Sequence, residues 1–288
     1  MNEDMKIKAI APWFGGKRTM APRIVQELGK HRSYWGICCG SLAVEFAKEP
    51  SSMETCIDLH GDLTNLCFVL KDESLAVELY GRMSRMTLSR EVFLESAKVI
   101  RGESAPCDGD GPDLDRAAHY MTVSWFGRNG VAGTSSYSAG FCARYTKNGG
   151  HAAKRFISAV DSIPAWHWRL RNITVMRDDI FKHLHRIEDA SGTVIYCDPP
   201  YFEKGAKYLH DFDGLHHKQL ADQLGRFKKT RVVLSYYDHP LLDRYYGGWT
   251  KVDCATTKAM ANQGQRNRGP VKAPEVLLIN GPSYGGAA

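Results

Sequence analysis

Several signatures that would fix the chemistry of this 288-residue chain early are missing from it. Its 8 cysteines form no C-x-x-C pair, and only Cys38-Cys39 are adjacent. That leaves no zinc or dithiol spacing, so free thiols are the expected state, with Cys197 a packing residue at a strand end. His216-His217 and His183-x-His185 are the nearest approaches to a metal pair. Neither has the four-residue spacing that sets two imidazoles on one helix face, so no metal is expected. No apolar run reaches the length of a membrane span. The opening Met1-Asn2-Glu3-Asp4-Met5-Lys6 carries no apolar core of signal-peptide length, so neither membrane nor export is expected. The dinucleotide signature G-x-G-x-x-G is absent, which disfavours a nicotinamide oxidoreductase, and no internal repeat is visible.

What is present is a globular composition, 43% hydrophobic and 24% charged, with a net charge of +6. The pI of about 8.8 is compatible with a polyanionic partner without requiring one.

The most informative stretch is Thr193-Val194-Ile195-Tyr196-Cys197-Asp198-Pro199-Pro200-Tyr201. A β-branched and aromatic run after the turn signal Ser191-Gly192 reads as a short buried strand. Pro199 and Pro200 hold the residues before them out of helical angles, so the chain leaves the strand extended. Neither proline has an N–H, which leaves nearby carbonyls free to accept from another partner. A fixed carboxylate, a free carbonyl and a flat ring are suited to holding a planar amino group on an aromatic base. An adenine amino nitrogen is a poor nucleophile because its lone pair is delocalised. Two acceptors on its hydrogens can aim that lone pair at a sulfonium methyl, after which transfer needs little beyond positioning. An ordinary loop after a strand could carry the same four residues, so the rest of the chain must decide.

Near the start, Trp13-Phe14-Gly15-Gly16-Lys17 combines close backbone approach with a cation, and Thr19 is a candidate N-cap for a helix carrying Met20, Ile24, Val25 and Leu28. Tyr34 to Cys38 reads as a strand, Gly40-Ser41 as its turn, and Leu42 to Ala47 as the start of a helix. Met53 to Asp58 is a second strand ending in an acid 18 residues after Gly40, placed to accept from ribose hydroxyls or to cap a helix. Asp62 fits the capping role better. Residues 63 to 100 look helical, and a Gly/Pro/Asp-rich loop follows to Asp115. Arg116 to Arg186 holds eleven Lys or Arg against three Asp. With Ser124 to Gly130, Tyr137, Phe141 and Arg144 inside it, this stretch suits phosphate contacts and base-edge readout, although a solvated surface would look similar. Strands recur at 171–176, 231–235, 249–254 and 275–279. About seven strands alternating with helices indicate an α/β sheet covered on both faces.

In this order the motifs resemble those of Dam-type (D12 class, alpha-group) DNA adenine-N6 methyltransferases, over residues 11 to 280. The resemblance implies a Rossmann-like sheet with an inserted target-recognition lobe. The catalytic domain would be 1–62 with 171–288, and the helical and loop insertion 63–170. It implies S-adenosyl-L-methionine as cofactor, bound by Trp13, Gly16, Lys17, Cys38, Gly40, Asp58, Leu59, Asp179, Ile180 and Asp198. It implies catalysis by Asp198, Pro199, Pro200 and Tyr201. Double-stranded DNA would be contacted by Arg128, Asn129, Tyr137, Arg144 and Arg266. Action as a monomer in the cytoplasm of a bacterial or phage-infected cell is expected. One departure stands out. The family's aromatic-x-Gly-x-Gly loop after an acid and a proline is here Gly36-Ile37-Cys38-Cys39-Gly40-Ser41-Leu42, which keeps only Gly40 of the two loop glycines. The alternative is therefore a DNA-binding homologue with impaired catalysis.

Overall fold

Strand β1 (Ser33–Ile37) is an interior strand of a seven-stranded sheet. In this computed structural model the described residues are 5–101, 111–127, 140–143, 151–202, 210–254, 256–257 and 272–285. Helix α1 (Ala21–Leu28) precedes β1, and β2 (Met53–Asp58) follows it. Six helices come next: α2 (Gly61–Lys71), α3 (Glu73–Ser84), α4 (Arg90–Arg101), α5 (Leu114–Phe126), α6 (Ala152–Val160) and α7 (Ile163–Leu170). The sheet resumes with β3 (Thr174–Arg177), the single turn α8 (Phe181–Leu184) and β4 (Thr193–Cys197). Then come α9 (Gly214–Leu224), β5 (Arg231–Tyr237), α10 (Pro240–Tyr245) and β6 (Thr250–Asp253). A two-stranded ribbon of β7 (Thr256–Thr257) and β8 (Lys272–Ala273) leads into β9 (Glu275–Ile279).

The strand order is β3-β2-β1-β4-β5-β9-β6. The first five strands are parallel, and β9 runs antiparallel to both of its neighbours. Chain connections leave β1 in one direction towards β2 and β3, and β4 in the other towards β5. The β1/β4 boundary is therefore a topological switch point, where such sheets open a crevice at the carboxyl ends of the strands.

Alternation along the strands sorts the core into two layers. Tyr34, Cys56, Val194, Tyr196 and Val233 pack with α1 and the helices between β2 and β3. Ile37, Ile57, Ile195, Cys197, Val232 and Leu234 pack with Leu184, Leu220, Leu224 and Leu242 of α8, α9 and α10. Both faces are covered, as the near-continuous apolar strands require.

Four local expectations differ from the structure. No helix follows β1: residues 43–47 form turns, because Leu42 sits at φ +61°, a left-handed conformation that breaks a right-handed helix at its start. Thr19 does not cap α1, whose N-cap is Met20 without a side-chain bond; Pro22 sets the first turn instead. Asp62 does not cap α2 either. His60 does so, its Nδ1 accepting from the Leu63 N–H at 3.2 Å. Asp62 is buried against the Arg116 guanidinium, which joins α2 to α5. Finally, β3 begins at Thr174 rather than Arg171, since Leu170 O accepts from Ile173 N and closes a turn there.

Candidate active site

At the end of β1 the chain turns through three left-handed residues, Cys38 (φ +54°), Gly40 (φ +49°) and Leu42 (φ +61°). Only one is glycine, so the loop keeps a glycine-like path at the cost of strain at Cys38 and Leu42. The end of β2 braces it. Asp58 Oδ2 accepts from the Gly40 N–H at 2.8 Å, and Oδ1 from the His60 N–H at 2.9 Å. A Cβ on Gly40 would stand 3.0 Å from Trp13 Nε1, so the indole lies directly against the glycine.

Around this loop the structure opens a cleft at the carboxyl ends of β1 to β4. Of the residues anticipated from sequence, Trp13, Cys38, Gly40, Asp58, Leu59, Asp179, Ile180, Asp198 and Pro200 line it. Four lining residues were not anticipated: His60, Asp178, His210 and Phe212. His60 had one available signal, its place between Asp58 and the α2 periodicity, where an N-cap belongs. Its Nδ1 is an acceptor, so the neutral ring carries its proton on Nε2. Burial lowers its pKa against the opposing pull of Asp58 and Asp62. Asp178 is tied to Lys182 (2.9 Å) and His183 (2.9 Å), and these contacts hold its carboxyl well below the usual range. Asp179 Oδ1 accepts from the Phe181 N–H at 2.9 Å and fixes the start of α8. His210 and Phe212 follow the Asp-Pro-Pro-Tyr stretch at a distance that no local pattern announces.

Gly16 and Lys17 are not among the lining residues of the cleft. Gly15 (φ +72°) and Gly16 make a tight turn, the Gly16 N–H donating to Trp13 O at 3.1 Å, and this turn carries Lys17 inward. Lys17 is 5% exposed; its Nζ lies 2.8 Å from Asp198 Oδ2 and 2.6 Å from Gly15 O, with Glu275 Oε1 at 3.9 Å. The other Asp198 oxygen, Oδ1, accepts from the Tyr201 hydroxyl at 3.1 Å. Burial raises the Asp198 pKa, while Lys17 and then Tyr201 pull it back down.

The segment after Asp198 is held by aromatic packing. Pro199 is buried. The Tyr201 ring lies 4.8 Å from Tyr237 and 5.5 Å from Tyr236. Phe202 stacks on His217 at 3.8 Å and on His239 at 4.9 Å. The neighbouring Cys197 thiol, together with burial, pushes the Cys38 thiol well above its ordinary range. No cluster of three or more metal-ligating side chains occurs among the described residues.

The anticipated nucleic-acid contacts Arg128, Asn129, Tyr137, Arg144 and Arg266 lie outside the described residues. Their neighbour Trp125 is a core residue. Its indole N–H donates to Ile10 O at 3.2 Å, and its ring stacks on Trp166. Phe126 packs edge-on against Phe156 at 4.8 Å.

Against known proteins, the model of the D12 class N6 adenine-specific DNA methyltransferase family matches residues 13–259. No curated protein sequence matches the chain. Among solved structures, the chain is similar to a precorrin-6y C5,15-methyltransferase from Geobacter metallireducens GS-15. Identity is 10%, coverage 91% of this chain and 86% of that one, and the TM-score 0.34. It is also similar to precorrin 8w decarboxylase from Methanobacterium thermoautotrophicum, at 10% identity, 91% and 87% coverage and a TM-score of 0.32.

Proposed function

This chain belongs to the D12 class N6 adenine-specific DNA methyltransferase family, and on that premise we propose a specific reaction for it. It transfers the methyl group of S-adenosyl-L-methionine to adenine N6 within a short site in double-stranded DNA, with the target base flipped out of the helix. The observation that carries this reading is the position of Asp198. It lines the cleft at the switch point between β1 and β4, within one loop of Tyr201.

The donor set of the cleft fits the cofactor. Asp58, Asp178, Asp179 and Asp198 surround it with negative charge, and Leu59, Ile180, Phe212 and Trp13 give it apolar walls. Carboxylates suit a cation and a ribose diol; apolar walls suit an adenine ring. Asp58 would accept from the ribose, and Asp179 and Ile180 would border the adenine. S-adenosylmethionine supplies an electrophilic methyl on a positively charged sulfur. The chain's residues do the rest. Asp198 and the Pro199 carbonyl hold the two amino hydrogens of the target base, which localises the nitrogen lone pair. Tyr201 stacks on the base and offsets part of the few kcal/mol that flipping costs. Residues 63–170 form the target-recognition region on a catalytic domain of 1–62 and 171–288, with Arg128, Asn129, Tyr137, Arg144 and Arg266 meeting the DNA. One copy of the chain carries all of these groups, in keeping with action as a monomer.

The rival reading, a DNA-binding homologue with impaired catalysis, draws on the altered glycine loop. Against it, the loop keeps a left-handed path at Cys38 and Gly40 and keeps its bond to Asp58.

The test is methyl transfer from isotopically labelled S-adenosylmethionine to mixed-sequence duplex DNA, with Asp198→Ala in parallel and mass spectrometry of the digested nucleosides. Labelled N6-methyladenine from the wild type alone is the expected result. A labelled cytosine, or an unimpaired Asp198→Ala, would refute the assignment. No label from folded, DNA-bound wild type would favour the impaired homologue.

A further inference from the structure

Both oxygens of Asp198 are already engaged before any base arrives, and the two partners differ in kind. Oδ2 meets a buried ammonium, Lys17, at 2.8 Å. Oδ1 meets a neutral hydroxyl, Tyr201, at 3.1 Å. We propose that Lys17 is a positioning residue that keeps Oδ2 throughout the reaction. We further propose that the Tyr201 hydroxyl holds the place of the target amino group on Oδ1, leaving as the base enters. This inference rests on the function proposed above and assigns the individual oxygens within it.

The two contacts are unequally replaceable. Lys17 is 5% exposed and is anchored by Gly15 O at 2.6 Å. Separating the ammonium from Asp198 at such depth would strip the carboxylate of its cation and leave the ammonium only Glu275 at 3.9 Å, a larger penalty than losing one neutral hydrogen bond. Lys17 therefore stays with Asp198. Its Nζ also stands 5.1 Å above the Tyr201 ring, so it braces the aromatic from one side. The Tyr201 hydroxyl is a neutral donor of one hydrogen, and so is an amino N–H. Exchanging one for the other leaves the charge of the site unchanged. It also keeps Oδ1 from standing bare in a half-buried site when no base is bound. Tyr201 has a direction in which to yield, because the neighbouring Tyr237 is only half-buried. Phe202, stacked between His217 and His239, anchors the backbone while the ring turns.

Three variants at two positions read the two halves of the proposal in the labelled methyl-transfer assay on mixed-sequence duplex DNA. Tyr201→Phe keeps the ring and removes the placeholder. Base entry then breaks no hydroxyl–carboxylate bond, so the KM for DNA falls by about tenfold, the worth of one hydrogen bond to a charged group. Lys17→Met removes the cation that holds down the Asp198 carboxyl, so the acid limb of the kcat/KM profile moves to higher pH; Lys17→Arg leaves that limb where the wild type has it. Circular dichroism melts establish that each variant is folded. A KM that is unchanged or raised in Tyr201→Phe overturns the placeholder role. An acid limb unmoved in folded Lys17→Met overturns the positioning role. Should Lys17→Met not fold, an acid limb displaced upward in Lys17→Arg overturns it instead. A wild type that methylates no adenine defeats the proposed function itself. An active wild type whose variants depart from these outcomes defeats only this inference.

Discussion

Replacing Asp58 by asparagine tests how the cleft is built, because the change is nearly isosteric and the carboxylate has two assigned contacts. Asp58 Oδ1 and Oδ2 accept from the His60 and Gly40 N–H groups at 2.9 and 2.8 Å, and the residue is 9% exposed. An amide offers one acceptor and one donor, so either orientation sets an NH2 against a backbone N–H. One charge-assisted bond, about 1.5–3 kcal/mol, is lost, and a buried donor is left unsatisfied at about 1–3 kcal/mol. The sum is about 2.5–6 kcal/mol. With about 2.1 cal/mol/K of unfolding entropy per residue, a chain of this length has about 0.6 kcal/mol/K at its midpoint. Asp58→Asn should therefore lower Tm by about 4–10 °C. The assay is differential scanning calorimetry with no cofactor present, so that lost ligand binding cannot contribute. Isothermal titration with S-adenosylmethionine then reports the functional half, an expected loss of at least tenfold in affinity. A Tm within 1–2 °C of wild type would show that Asp58 does not hold the loop.

Gly40→Ala places a Cβ 3.0 Å from Trp13 Nε1 at φ +49°, so it should displace the indole and weaken cofactor binding by tenfold or more; unchanged quenching of tryptophan fluorescence on titration would contradict this. Arg116→Met removes the guanidinium that Asp62 is buried against and should cost about 3–5 kcal/mol in a denaturant melt, whereas the double variant with Asp62→Leu should recover most of it. Equal losses in the single and double variants would refute the pairing argument. His217 is pulled down to about 4 by burial, so the unfolded chain takes up a proton that the folded chain refuses. Its contribution is present above the ordinary value of 6.5 and is lost as pH falls from there towards 4, on the order of 2–3 kcal/mol. His60, also lowered by burial, adds in the same direction, and His217→Gln should flatten the slope of Tm against pH over that window. Neutralising Arg128 and Arg144 should reduce the salt dependence of DNA binding, by about one unit of log–log slope for each phosphate contact removed. An unchanged slope would take both residues out of the interface.

Sequence reasoning reached the sheet because its strands are buried on both faces and read as dense apolar runs: Val194 to Cys197 and Val232 to Leu234 could hardly be anything else. Local pattern drew attention to Trp13, Gly40, Asp58 and Asp198, each at a strand end or glycine turn, and the family resemblance added Asp179; all five line the cleft. It failed where a long-range contact decides the outcome. Lys17 sits beside Gly16 in the chain, yet its partner is 181 residues away, and only the fold reveals that it faces Asp198 rather than the open cleft. Asp62 looks like a cap until Arg116 of α5 is found against it. Leu42 has the composition of a helix start, but its left-handed φ is imposed by the loop that Asp58 braces. His210 and Phe212 enter the cleft through tertiary packing alone.

The central pairing of the sheet joins Ser33 to Thr193, 160 residues apart in the chain. During synthesis β1 and β2 emerge together, but one edge of β1 must wait for β4. At a synthesis rate of about 5–20 residues per second that wait is roughly 8–32 s. Throughout it, a hydrophobic strand edge is open to the wrong partner, another nascent chain included. The helices that intervene include α2, α5 and α7, which share a core cluster with Tyr34 of β1 but do not pair with its backbone edge. Asp58 and Asp198 come from opposite sides of this delay, so the two carboxylates proposed to hold the cofactor ribose and the target amino group come together only after β4 has emerged. On the proposed function a chain that ends before β4 cannot methylate, and the interval before β4 arrives is when a chaperone would matter most.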